Sequence, residues 1–272
     1  MARTLTRTRI RQYSADGVRQ REDVLAAEEP LEIRVGGVPM AVTMRTPGHD
    51  VELVHGFLHA EGVIRSADDV AVARYCESVD AEGRNTYNVL DVRLSGGAQL
   101  APERVRTVLG TSACGVCGTA AIEAVGRRSH YPLAPGPQLT AATVMALPDA
   151  LRVLQPQFSR TGGLHGCGLA RPDGTIEFAR EDIGRHNAMD KVIGAMLLGG
   201  RLPLTDSVLV TSSRASFELV QKATLAGCAV LVAVSAPSSL AVELARSADL
   251  TLVAFTRSHS FNIYSAAHRI AD

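Results

Sequence analysis

The chain has 272 residues, of which 46% are hydrophobic and 21% charged, and its formal net charge is zero. That length buries a sizeable core, as one large domain or two close subdomains, and zero net charge gives no whole-protein field to steer it to nucleic acid or a membrane. Aromatics make up 4% and Trp is absent, which excludes a base-stacking platform for single strands.

No apolar run reaches the roughly 18 residues of a membrane span. Residues 1–20 are basic but lack the apolar core of about 7 to 15 residues that a secretory signal needs, so a cytoplasmic chain is expected. Five cysteines are an odd number, and a reducing compartment disfavours structural disulfides. The Cys114-x-x-Cys117 pair then reads as catalytic or metal-binding rather than as a staple.

Arg3, Arg7, Arg9 and Arg11 alternate with Thr and Ile. The pattern fits a phosphate-binding arm, a frayed terminus or an edge strand with a polar face. Residues 31–35 and 38–45 read as a hairpin, because Gly36 and Gly37 supply the positive φ of a tight primed turn. The break TPGHD then starts a helix to about Glu61, with Val51, Val54 and Leu58 as its apolar stripe. His55 and His59 sit at i,i+4, a spacing that can chelate zinc. Gly56 stands where HExxH has its Glu, so a plain surface pair is expected. Residues 70–76 and 86–94 give two more strands around a polar turn at Gly83, and Cys76 has no partner at useful spacing. Residues 1–110 thus form a β-rich N-terminal subdomain with one helix.

Residues 111–138 are expected to be a mobile CxxC loop, a short helix over 119–128 and a Pro-rich linker over 131–138. A helix follows over about 140–155. From Thr161 the rhythm becomes strand, loop, helix, repeated. Strands are expected at 176–180, 207–210, 229–234 and 250–255, with a final strand at 261–265. Met189, Val192, Ile193, Met196 and Leu197 make one helical stripe. Continuous apolar strands with helices between them argue for an α/β sheet buried on both faces. Residues 139–272 therefore form an α/β subdomain.

Three loops fall at the carboxyl ends of those strands, 211–216, 235–239 and 256–260, where open α/β sheets bind ligands. The first two open helices, whose free N–H groups favour anions. Ser212, Ser213, Arg214, Ser235, Ser238 and Ser239 add donors, and the third loop adds Arg257 and His259. In a single loop the serines would read as N-caps. Three adjacent loops with two arginines favour a phosphorylated or nucleotide ligand. No GxxxxGKS is present, so the site is not a P-loop. Glu181, Asp182, Arg185 and His186 fall in one turn, and fit an acid–base cluster, a ligand clamp or an ion network capping the next helix. Residues 162–168 read as a second small-residue loop carrying His165. Cys167 there is weak evidence for function, and Cys228 packs as a small hydrophobe.

Four chemistries compete for TSACGVCG, residues 111–118. Structural zinc needs four ligands, often two CxxC pairs, and one pair exists. A zinc deaminase needs HxE and PCxxC. Here Gly166 and Cys167 follow His165, and no Pro precedes Cys114. Thioredoxin-like redox chemistry and sulfur transfer remain, about equal on the residues alone. Transfer needs an accessible, low-pKa thiol, which the expected helix N-terminus beside Cys117 favours, and a second thiol can release the sulfur by exchange.

TSACGVCG, RTGGLHGCG, REDIGRHNAMDK, SSRASFELVQKA, SAPSSLAVELA and FTRSHSFNIYS, in this order, resemble the FdhD family of formate dehydrogenase accessory sulfurtransferases. TMRTPGHDVELVHGFLHAEGVI and NTYNVLDV extend the match into the first half. The resemblance implies a homodimer with a cytidine deaminase-like α/β domain, preceded by the smaller β-rich subdomain, and no catalytic metal of its own. It implies sulfur transfer from a cysteine desulfurase to the molybdenum cofactor, bis(molybdopterin guanine dinucleotide), as bound substrate, before insertion into apo formate dehydrogenase. Neither nucleic acid nor membrane is implied as a partner. The family's persulfide cysteine maps onto Cys114, with Cys117 as second thiol. Its cofactor-binding segment maps onto Phe255, Thr256, Arg257, Ser258, His259 and Ser260, and the serine loops would complete a guanine-nucleotide pocket. Members often carry Ser where this chain has Ala113, and Ala where it has Cys167. Neither departure touches the paired thiols.

Overall fold

The computed structural model describes residues 4–76, 86–97, 131–133 and 135–271. The expected CxxC loop, the helix over 119–128 and the turn at Gly83 lie outside the described residues.

β1 (Leu5–Ser14) and β2 (Gly17–Ala26) form an antiparallel ribbon in unbroken register, from Leu5 opposite Ala26 to Ser14 opposite Gly17. Strand alternation puts Arg7, Arg9 and Arg11 on one face, all exposed. β3 (Glu29–Val35) and β4 (Val38–Arg45) make the expected hairpin, with φ of 60° at Gly36 and 81° at Gly37. Together with β5 (Val70–Tyr75) and β6 (Val89–Leu94) they form a sheet of order β4-β3-β6-β5. Leu31, Ile33, Leu90 and Val92 on that sheet bury against Leu53, Val54 and Leu58 of α1 (Asp50–Ala60).

The second half opens with β7 (Leu139–Thr140), α2 (Ala141–Val153) and α3 (Pro156–Thr161). The helix expected over about 140–155 is α2, and α3 is a further short turn of helix beyond it that starts at Pro156, where proline's missing N–H costs nothing. Then come β8 (His165–Ala170), β9 (Ile176–Asp182), α4 (Arg185–Leu198), β10 (Val208–Thr211), α5 (Phe217–Leu225), β11 (Val230–Ala233), α6 (Ser239–Ser247), β12 (Thr251–Arg257), β13 (Ser260–Ser265) and β14 (Ile270–Ala271). The main sheet has order β13-β12-β11-β10-β8-β9. β10, β11 and β12 are parallel, and β8, β9 and β13 run antiparallel to their neighbours. β10 and β11 are buried along their whole length, as their continuous apolar runs require. The small-residue stretch expected as a loop at 162–168 is instead β8 from His165 onward. Its glycines let α2 and α3 close over the strand: a Cβ on Gly166 would fall 2.5 Å from Gln155 Nε2.

The two halves join through α1 and α4, which cross almost backbone to backbone. A Cβ on Gly56 would fall 2.0 Å from Asp190 O, and one on Gly194 1.8 Å from Glu52 O. That crossing overturns the surface reading of the two histidines. His55 and His59 are both buried, and His55 Nδ1 lies 2.7 Å from Val51 O. Among the described residues, no cluster of three His, Cys, Asp or Glu side chains could hold a metal ion.

Buried charges join the layers too. Asp182 pairs with Lys191 at 2.7 Å, and Lys191 Nζ donates to Thr46 O at 2.9 Å. The described part of the Pro-rich stretch is held to the core by the buried Arg269, which donates to Leu133 O at 3.0 Å and Pro135 O at 2.7 Å.

Candidate functional site

The carboxyl ends of β10, β11 and β12 bring the expected loops together. Backbone bonds stitch them: Val234 N–H donates to Thr211 O at 3.0 Å, Ser235 N–H to Ser213 O at 3.2 Å, and Phe255 N–H to Ser235 O at 3.2 Å. Ser212, Ser213, Arg214, Ser235 and Ser238 therefore lie beside residues 255–257 along one sheet edge.

The side chains divide into two sets. The Ser213 hydroxyl lies 2.9 Å from Thr211 Oγ1. Thr256 Oγ1 donates to Ala233 O at 3.0 Å, and the Arg257 guanidinium donates to Val234 O and Thr256 O. The Ser238 hydroxyl caps α6, accepting from Ala241 N–H at 3.3 Å, and Ser212 Oγ accepts from Gly166 N–H at 2.9 Å. These groups shape the loops. Arg214, Phe255, Ser258, His259 and Ser260 are exposed, as are Ser238 and Arg257 of the loop-shaping set. The third loop is shorter than expected: Thr256 and Arg257 belong to β12 and Ser260 to β13, with Arg257 opposite Ser260 and only Ser258 and His259 turning between them. Phe255 adopts a φ of 52° at a register break of β12 with its side chain 43% exposed, a backbone region that a bulky L-residue seldom enters.

The cluster at 181–186 splits in two. Glu181 accepts from Phe158 N–H at 2.7 Å and Gln157 N–H at 3.0 Å, capping α3. Asp182 holds Lys191, Thr46 N–H and Gly184 N–H. Both acids are structural. His186 instead reaches across to α5, its Nε2 lying 3.0 Å from Ser216 Oγ and 2.8 Å from Glu218 Oε2. The bond to His186 holds the Glu218 carboxyl below its ordinary range against the opposing effect of burial. Burial, then the neighbouring Arg185 and His186 charges, push His165 below the ordinary histidine value. Glu218 carried no functional signal in the sequence, and Ser216 carried one only as the last residue of the expected loop 211–216. A Ser-x-Glu opening a helix reads as capping, and its partner His186 lies 30 residues away.

The thiols divide as sharply. Cys167 and Cys228 are buried, and burial pushes both up, Cys228 to about 11. Cys114 and Cys117 lie outside the described residues.

The model of the FdhD/NarQ family matches residues 26–271. The chain belongs to the FdhD/NarQ family. Among family members, the sulfur carrier protein FdhD of Nocardia farcinica is 54% identical over 269 residues, covering 98% of this chain and 95% of the relative. The sulfur carrier protein FdhD of Mycobacterium tuberculosis is 54% identical over 267 residues, covering 96% and 97%. A crystal structure of a protein from Desulfotalea psychrophila, assigned as a formate dehydrogenase accessory protein, superposes with a TM-score of 0.75 over 99% of this chain and 100% of that one. At 23% identity it carries the mixed α/β fold of this family member and nothing further. The β1–β2 ribbon lies almost wholly outside the family match. No helix among the described residues is long and apolar enough to cross a membrane.

Proposed function

We propose that this chain is a sulfur carrier for formate dehydrogenase maturation, taking sulfur as a persulfide on Cys114 and passing it to a guanine-dinucleotide molybdenum cofactor bound at the loop edge. The observation that carries the reading is identity of 54% over nearly the whole chain to proteins named sulfur carriers, with Cys114 and Cys117 both present. The buried, raised thiols of Cys167 and Cys228 are poor nucleophiles, and the half-buried Cys76 has no second thiol at useful spacing, so the CxxC pair are the better candidates. The Cys114 thiolate attacks the terminal sulfur of a desulfurase persulfide; that S–S bond breaks and the desulfurase thiolate leaves. The Cys117 thiolate then attacks Cys114 Sγ, a Cys114–Cys117 disulfide forms, and the terminal sulfur departs as hydrosulfide to the cofactor. A cellular dithiol reductant restores the pair.

Incubation with a cysteine desulfurase and cysteine is expected to add one sulfur to Cys114 by mass spectrometry, with no adduct and no transfer in Cys114→Ala. Full transfer by Cys114→Ala defeats the reading. Reduction of a disulfide substrate in repeated turnovers, without an adduct, makes the chain a dithiol oxidoreductase instead.

A further inference from the structure

The β1–β2 ribbon belongs to neither the core nor the loop edge. It is rooted at its base, where Ala27 N–H donates to Thr4 O at 2.9 Å and β2 packs against α3. Beyond that root it is a sheet of two strands alone, and residues 11–22 are all exposed. A lone two-stranded ribbon is marginally stable in water, so the outer half of this one does not serve the fold. Cross-strand pairing sorts its side chains onto two faces. Arg7, Arg9, Arg11 and Tyr13 share a face with Val18, Gln20, Glu22 and Val24. Arg7 pairs there with Glu22 at 2.9 Å. Arg9 and Arg11 have no acid partner among the described residues, and both are exposed. At the tip, Tyr13 stands opposite Val18, with exposures of 74% and 56%. The other face carries Arg19 and Arg21, and Arg21 pairs with Asp23 at 3.3 Å. One face thus leads from two unpaired guanidiniums to an exposed aromatic tip, and Arg and Tyr are the side chains on which protein–protein contacts concentrate.

We propose that this face docks an acidic segment of another protein, with Arg9 and Arg11 taking its carboxylates and Tyr13 with Val18 covering an apolar side chain at the tip. Charge complementarity selects the acid, because a guanidinium fork matches a carboxylate with two parallel hydrogen bonds. The acids already on the ribbon select protein over nucleic acid. Glu22 lies within the same face and Asp16 at the turn, so a continuous phosphate backbone would run against both, whereas a peptide places its carboxylates one by one. The docking face uses no residue of the loop edge and no thiol, and it stands whether or not the chain carries sulfur.

Fluorescence anisotropy on the full chain uses a labelled peptide of about twelve residues alternating Glu and Val, which presents its acids on one face when extended. Binding is expected, weakening as salt rises from about 50 to 300 mM, and lost when Gln replaces Glu in the peptide. Arg11→Glu should weaken it about tenfold, and Tyr13→Ala several-fold at unchanged salt dependence. Arg19→Glu makes the same charge change on the other face and should weaken it less than about threefold. All three residues are exposed, and an unchanged melting temperature shows each variant folded. Equal losses from Arg11→Glu and Arg19→Glu would mean that net charge rather than this face attracts the peptide, and overturn the proposal. Tighter binding of a DNA duplex or of phosphatidylglycerol vesicles, lost in Arg11→Glu, gives the face to another ligand and overturns it. So does a wild-type dimer in sedimentation that Arg11→Glu makes a monomer, because the occupant is then a second copy. Failure of the wild-type chain to bind the acidic peptide overturns it outright.

Discussion

At the scale of single residues, Phe255 is where conformation and chemistry meet. A left-handed backbone costs an L-residue about 1–2 kcal/mol, and this ring is too exposed to offset that by burial in the core. Strain of this kind clusters at ligand clamps, which fits the proposal that the loop edge binds the cofactor. Phe255→Gly is expected to stabilise the fold by about 1 kcal/mol in urea titration. The same change should weaken GDP about tenfold by calorimetry, since stacking a base on an aromatic ring contributes about 1–3 kcal/mol. Unchanged affinity would take the ring out of the site. The thiols give a second test. An alkylating reagent should modify Cys114 and Cys117 in the native protein, and reach Cys167 and Cys228 only after denaturation, because both are buried with raised pKa values. Rapid native labelling of Cys167 would contradict its position in β8.

At the scale of elements, the α1–α4 crossing reverses an ordinary expectation. Replacing a helical glycine with alanine gains about 1 kcal/mol from propensity alone. At Gly194 the added methyl would meet Glu52 O at 1.8 Å, and at Gly56 it would meet Asp190 O at 2.0 Å. These neighbours are backbone, so the helices must separate, and overpacking of that kind costs typically about 1–3 kcal/mol. Gly194→Ala and Gly56→Ala should each lower stability by the net of the two, up to about 2 kcal/mol, read as a fall in the urea midpoint at unchanged slope. A rise in the midpoint would show that the helices are further apart than described. Neither glycine carried this meaning in the sequence. The helices α1 and α4 were legible from their apolar stripes, and β10, β11 and β12 from continuous Val and Leu runs. Their mutual approach was not, because a crossing depends on which residues meet across a span such as Gly56 to Asp190.

Across the whole molecule the same division holds. The loop edge was legible because each loop follows a buried strand locally, as Ser212 follows β10. The second ribbon strand was missed because β2 is polar on both faces and has no period to read. The convergence of His165, Arg185, His186 and Glu218 was missed because three separate elements deliver them. That convergence, together with the α1–α4 contact, sets how the fold responds to acid. Burial lowers His55, and burial with the Arg185 and His186 charges lowers His165. Both start from an ordinary value of 6.5. Above that pH the two rings are neutral in the folded and unfolded chain and contribute no slope. Below it the unfolded chain takes up more protons, so stability falls as pH falls. Carboxylates act lower down. Glu52 is raised by burial but lowered further by His49 and Arg180, ending at about 2, and Glu218 is lowered by His186. Their stabilisation is present above the unfolded value of 4.5 and is lost as pH falls through the folded ones. Urea midpoints should therefore be level from about pH 8 to 7, decline from about 6.5 downward, and fall more steeply below about 4.5. His165→Asn should flatten the upper part of that decline without changing the midpoint trend at pH 8 to 7. A wild-type midpoint that stays constant from pH 7.5 to 5.5 would mean that neither ring is shielded as the structure places it.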